Sequence, residues 1–284
     1  MSFTIGEITY TNIQPMFHFL DRPAMEQRGF TFQKSIPSEL NGRMRDGRID
    51  AGGISSFEYA SNPDAYYILK DLSVSSKGDV RSIFLFSKRP IGELNDASVA
   101  LTSSSATSVH LLKLLLERRE GIQPVYSTEE PDFTYMMKNH DACLLIGDDA
   151  IKAADSAEGI YQYDLGRLWF DWTGLPMTYA LLAVRREKAE NDPSKTEELH
   201  RQLHRSLRAC RETGFKALTE KSAADHGLTT TFWEAYFQNL RYELNDEELD
   251  GLNLFCRLLY EEQYISQKPE IEVWESDRHR MGSR

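Results

Sequence analysis

The chain has 284 residues, with 44 acidic against 33 basic side chains and a net charge of −11. That balance excludes nucleic acid or an anionic membrane as a partner, while a local cleft for a small anion stays allowed. The length exceeds the usual single core, which points to two domains or one large two-lobed α/β body. Cys143, Cys210 and Cys256 lie far apart without CxxC spacing, so neither a disulfide framework nor a zinc site is expected. No run reaches the ~18 apolar residues of a bilayer span, and the first residues lack a basic stretch followed by an apolar one. A cytoplasmic protein is therefore expected, with an oligomer left open.

Residues 3–10 read as a first strand, broken by Asn12-Ile13-Gln14-Pro15 before a short helical stretch at 16–20. A second strand at 31–34 leads to a helix with Ser38 as N-cap, Leu40 and Met44 on one face, and its end at Asp46-Gly47. Residues 49–54 follow as a short buried strand, whose glycines let other backbone or a ligand come close. Strands at 67–74 and 80–87 come next, the second nearly all apolar and so central. After Pro90 a second alternation begins: strand 98–101, helix 109–118, strand 124–126, helix 132–138, strand 142–146. Residues 179–184 form the last strong strand, and 193–262 are helical, with Leu199, Leu203 and Leu207 at i, i+4, i+8.

The alternation of strands and helices predicts an α/β protein built as a two-lobed clamshell, each lobe a mostly parallel sheet flanked by helices. The apolar strands at 82–86 and 179–184 bracket the second lobe as two crossings that serve as a hinge. The first lobe is then 1–86 with 179–284, the second is 87–178, and a ligand sits in the cleft. The tail from 266 to 284, with Lys268-Pro269 and Arg278-His279-Arg280, reads as a surface segment.

Thr102-Ser103-Ser104-Ser105-Ala106-Thr107-Ser108 places six hydroxyls at a strand-to-helix turn, where unpaired N–H groups and the helix dipole favour a carboxylate or phosphate. A plain Ser/Thr N-cap explains such a run equally well when it stands alone. Other turns at strand ends add Tyr10 and Asn12, Ser55 and Ser56, Arg81 and Ser82, and Gly147-Asp148-Asp149, which is where open α/β sheets bind ligands. For Arg81 a surface salt bridge and a carboxylate fork are equally plausible. Asp148 and Asp149 lack a third ligand at a metal-binding spacing, so helix capping suits them better, and no metal is expected. His110 and His18 read as solvated residues, and His200 and His204 as a polar helix face. Met136 and Met137 read as core, while Trp169 and Trp172 are candidates to wall a ring-shaped ligand.

These residues resemble a known family. Ile5-Gly6 with Thr9-Tyr10-Thr11-Asn12-Ile13-Gln14-Pro15, then Val80-Arg81-Ser82-Ile83-Phe84-Leu85-Phe86-Ser87, match its opening strand and central crossing strand. The Ser103 to Val109 turn, Leu145-Ile146-Gly147-Asp148-Asp149-Ala150, Asp164-Leu165-Gly166, Trp169 and Thr173-Gly174-Leu175-Pro176 continue the series in order. The family is the menaquinone-biosynthesis chorismate dehydratase of the futalosine route. Thr102, Ala106 and the Thr11-Asn12-Ile13-Gln14 turn depart from its pattern. The resemblance implies a fold similar to type II periplasmic binding proteins, loss of water from chorismate, and no cofactor. It makes Asn12 the expected catalytic residue, with Asp148 second. Tyr10, Ser56, Arg81, Ser82, Ser104, Ser105, Thr107, Ser108 and Gly147 are the expected substrate contacts. A dihydroxynaphthoate synthase of the same pathway and a non-catalytic carboxylate-binding protein are the alternatives.

Overall fold

A computed structural model describes residues 2–274. Its strands are β1 (Phe3–Ile8), β2 (Phe30–Ser35), β3 (Ala51–Ser55), β4 (Tyr66–Ser76), β5 (Ile83–Ser87) and β6 (Ser98–Thr102). They continue with β7 (Val125–Glu129), β8 (Ala142–Ile146), β9 (Tyr161–Asp164), β10 (Met177–Arg185) and β11 (Val273–Trp274). The helices are α1 (Arg22–Gln27), α2 (Pro37–Arg45), α3 (Ser56–Ser61), α4 (Ala106–Lys113), α5 (Phe133–Asn139) and α6 (Gly147–Ser156). They run on through α7 (Leu165–Thr173), α8 (Arg186–Asn191), α9 (Pro193–Glu212), α10 (Lys216–His226), α11 (Thr230–Asn239) and α12 (Asp246–Glu261).

Two sheets form, in the orders β11-β4-β10-β3-β1-β2 and β7-β6-β8-β5-β9. Leaving β11 aside, both sheets follow one plan. A first strand lies between its second and third by parallel pairing, and an antiparallel strand then separates the third from the fourth. That antiparallel strand is β10 in the first sheet and β5 in the second. The sheets are therefore mixed, as a chain that crosses between lobes and back requires. β5 pairs wholly in the second sheet, so the outward crossing runs through 77–82 rather than after residue 86. The return runs through α7 and Gly174-Leu175-Pro176 into β10.

The expected elements appear with local shifts. Pro37 occupies the first position of α2, so its N-cap is Ile36 and Ser38 lies in the first turn. The stretch expected helical at 16–20 is instead a 3₁₀ turn over Thr11–Met16, with Pro15 inside. The helix expected at 109–118 starts at Ala106, capped by the Ser105 side chain, and its last turn widens to π geometry at Leu114–Arg119. Leu199, Leu203 and Leu207 are buried as their spacing predicts, each contributing about 1.5–3 kcal/mol of apolar burial. The end of the chain differs more. Pro269 and Trp274 are buried and β11 adds an edge strand beside β4, so 266–274 is anchored to the first sheet, while most of its residues lie at the surface as expected. Arg278, His279, Arg280 and the last three residues lie outside the described residues.

One apolar core runs through both sheets, and a smaller one around Phe86, Met136, Met137 and Cys143 lies against the second. The methionines are thus core, as read. Trp169 is core too: its Nε1–H donates to the Pro176 carbonyl (3.2 Å) and its ring packs edge-on against Trp172 and Phe255. Neither tryptophan walls the cleft.

Candidate active site

Between the sheets lies a narrow cleft lined by both of them. Ile8, Ile83 and Ile146 supply apolar wall, and Tyr10, Asn12, Ser55, Ser82, Ser105, Ser108 and Tyr179 the polar groups. No charged side chain lines it among the described residues. Instead α3, α4 and α6 all begin at its wall, after Ser55, Ser105 and Ile146. Three helix N-termini thus border one space; Phe57, Glu58, Ser108 and Gly147 already spend their N–H groups on Thr107, Ser55, Ser105 and Ser82, and the positive helix ends still favour a carboxylate.

Six of the expected residues meet here: Tyr10, Asn12, Ser82, Ser105, Ser108 and Gly147. Ser105 accepts the Ser108 N–H (3.2 Å), and the two hydroxyls lie 3.1 Å apart. Gly147 has φ of 60°, and a Cβ there would lie 2.7 Å from the Tyr10 ring. Only glycine lets the second lobe approach Tyr10 this closely.

The other five are turned to different work. Ser56 donates to the Thr178 carbonyl (2.7 Å), tying α3 to β10. Thr107 accepts the Phe57 N–H (2.9 Å), joining the start of α3 to α4 across the lobes. Ser104 shares its hydroxyl with Thr102 (2.8 Å) and Tyr10. Arg81 contributes main chain rather than guanidinium: its backbone is left-handed (φ 61°) and its N–H donates to Asp164 Oδ2 (2.7 Å). Asp148 stands behind Gly147, 3.7 Å from His226 Nε2, with its Oδ1 buried and unpaired.

Sequence reasoning missed several members. Tyr236 donates to Ser82 Oγ (3.0 Å), and Tyr179 lines the cavity with its hydroxyl 2.9 Å from Ser76 Oγ. Both are buried, which holds their hydroxyls protonated far above neutral pH. Half-buried Asp164 caps α7 and accepts the N–H groups of Val80, Arg81 and Arg167, fixing the outward crossing beside Ser82. Burial pushes its carboxyl up despite these bonds. His226 touches Thr11 Oγ1 (3.3 Å), next to Asn12. His110 is not a solvated residue: it stacks on Phe57 across the lobes (3.7 Å, 8°), and burial lowers its pKa to about 4. These partners come from α3, β9, β10, α10 and α11, and of them only Asp164 stands in a segment that the resemblance quoted.

Among the described residues no group of three or more His, Cys, Asp or Glu side chains is placed to hold a metal ion. The sequence pattern of the menaquinone biosynthesis family matches residues 3–261. The chain belongs to that family. This menaquinone-biosynthesis protein is 34% identical over 275 residues to a chorismate dehydratase of Thermus thermophilus, covering 90% of this chain and 95% of that one. A chorismate dehydratase of Campylobacter jejuni is 29% identical over 187 residues, covering 65% of this chain and 68% of the other. Among solved structures, an Archaeoglobus fulgidus protein superposes with a TM-score of 0.75 at 19% identity, covering 93% and 98% of the two chains. The periplasmic aliphatic sulphonate-binding protein of Escherichia coli gives 0.69 at 16% identity, covering 97% and 92%. At such identities these likenesses show the fold, that of periplasmic binding proteins, as the resemblance implied.

Proposed function

We propose that this member of the family is a chorismate dehydratase, a hydro-lyase that converts chorismate to 3-[(1-carboxyvinyl)oxy]benzoate and water. The observation that carries the reading is the convergence of Asn12 with the Ser55, Ser82, Ser105 and Ser108 hydroxyls and three helix N-termini in one uncharged cavity. The dehydratase relatives support it.

Chorismate carries two carboxylates, and the hydrogen on its ether-bearing ring carbon is acidified by conjugation toward the ring carboxylate. Removing that proton sends its electron pair into the ring, the neighbouring C–O bond breaks, and the departing hydroxide takes up the abstracted proton and leaves as water. Aromatisation supplies the driving force. The protein must hold a dianion, meet developing enolate charge with preorganised donors and exclude rearrangement. Ser105 and Ser108 with the first turn of α4 take one carboxylate in this reading and Ser82 the other, since Ser56 is tied to Thr178 and Ser55 caps α3 while accepting from Asn41. Asn12 orients the reacting carbon, and the proton passes to the substrate's own side-chain carboxylate, since an amide is no strong base. Asp148 is the second choice as base, because it lies behind Gly147 and faces His226.

The reaction belongs to the cytosol in this reading, which the three free, buried cysteines support. Among the described residues no helix is long and apolar enough to cross a membrane. Incubation of the purified protein with chorismate, followed by chromatography for the aromatic enol ether, tests the activity. Chorismate left untouched while a deoxyfutalosine-type substrate is consumed would favour the naphthoate synthase. Asn12→Ala is expected to lower kcat on the order of 10²-fold, the usual loss for one transition-state donor. Turnover near the wild-type rate removes Asn12 from the mechanism.

A further inference from the structure

At Asp71 the β4 backbone turns left-handed (φ 56°). The pairing with β10 skips there from Leu181↔Ser73 to Ala183↔Ile68, so residues 69–72 bulge from the ladder. The bulge turns the Lys70 carbonyl to α9, where His200 Nε2 lies 2.8 Å and His204 Nε2 3.1 Å from its oxygen. The two Nε2 atoms are 3.0 Å apart. Three electron-pair donors therefore form a nearly equilateral triangle.

Protons alone satisfy this triangle poorly. The carbonyl brings none, and two neutral rings both protonated on Nε2 would set N–H against N–H. With one ring protonated there, a single proton serves two acceptors. A metal ion meets all three lone pairs. Corners of such a triangle lie about 1.7 Å from its centre, so an ion about 2.05 Å from each donor sits about 1.1 Å above the plane. The nearby Asp71 carboxylate adds favourable charge, and the Lys70 ammonium opposes it.

We infer that His200 Nε2, His204 Nε2 and the Lys70 carbonyl bind one divalent transition ion of the Zn²⁺, Ni²⁺ and Cu²⁺ class, fastening α9 to the β4 bulge. With two side-chain ligands and one main-chain oxygen it lies outside the clusters of three side chains, which the described residues lack. Imidazole donors select against Mg²⁺, and water completes the coordination. None of these residues lines the cleft, so the site is independent of the proposed reaction.

Calorimetric titration of the full chain with Ni²⁺, Zn²⁺ and Mg²⁺, alongside melting curves, tests it. The chain has seven histidines, so the variants decide. Expected are one saturable equivalent of Ni²⁺ or Zn²⁺, a melting temperature raised by the ion, and no Mg²⁺ binding. His204→Ala and His200→Gln should each weaken the ion at least about tenfold and abolish the rise. Chorismate turnover without added metal should be unchanged, showing that the variants fold. Affinity equal to wild type in both variants, or no saturable binding by wild type, overturns the site.

Discussion

Replacing Gly147 with alanine probes a close approach between the lobes. The new methyl would lie 2.7 Å from Tyr10 Cδ1 and 2.9 Å from Cε1, on a backbone with φ of 60°. The left-handed conformation costs alanine about 1–2 kcal/mol, and forcing a methyl into packed space costs about 1–3 kcal/mol more. Gly147→Ala should therefore lose about 2–5 kcal/mol in urea unfolding, or relieve the clash by parting the lobes and raising KM for chorismate. Tyr10→Ala removes the clash but not the backbone strain. The double variant should then be less destabilised than the two single losses together by about 1–3 kcal/mol, the clash component. A Gly147→Ala protein within about 0.5 kcal/mol of wild type and with unchanged KM refutes the reasoning, as does strict additivity with Tyr10→Ala.

Two further outcomes concern pH. The unfolded chain protonates His110 near 6.5 and the native ring only near 4, so between those values the unfolded state holds more protons and stability falls as pH falls. At pH 5 the loss reaches at most about 2 kcal/mol, and His110→Phe should flatten that part of the profile in urea melts at pH 5 and 7. Asp141 behaves oppositely. The Ser98 N–H (2.9 Å) and hydroxyl, with the Arg89 guanidinium, hold its carboxyl below the usual range. Its contribution is full above the ordinary carboxylate pKa of about 3.9 and is lost as pH falls through the lowered native value. Asp141→Asn should cost about 1.5 kcal/mol at pH 7, at the low end for a charged hydrogen bond because the group is partly exposed. The difference should shrink when the melts are repeated below pH 3.

Much of this was legible in the residues. Apolar runs at 82–87 and 179–184 mark the buried antiparallel strands, and Ser105 caps α4 because hydroxyls at a strand-to-helix turn do that. Which hydroxyls face the cleft was not legible. Ser104, Ser105, Thr107 and Ser108 look alike in sequence, and only the approach of Tyr10 and α3 decides that Ser104 and Thr107 are spoken for. Ser56 follows the same rule, because its partner Thr178 lies 122 positions away. Tyr161-Gln162-Tyr163 escaped notice as a strand because β9 is an edge strand with two exposed residues and little apolar signal. The His200 and His204 pair reads as a polar face until the bulge at Asp71, set by sheet pairing, brings a carbonyl to it.

The place of β10 governs the order in which the molecule can be made. Residues 83–164 contain every strand of the second sheet, so that sheet is complete within one stretch of chain. The first sheet is interrupted between β3 and β4 until β10 arrives, a hundred residues after β4 has left the ribosome. Pulse-labelled hydrogen exchange during refolding should protect β6 and β8 before β3 and β4; simultaneous protection would mean that the lobes form as one unit. On this ordering the cleft exists only once β10 has closed the first sheet, because its lining runs from Ile8 to Ala180 and takes in the start of β10.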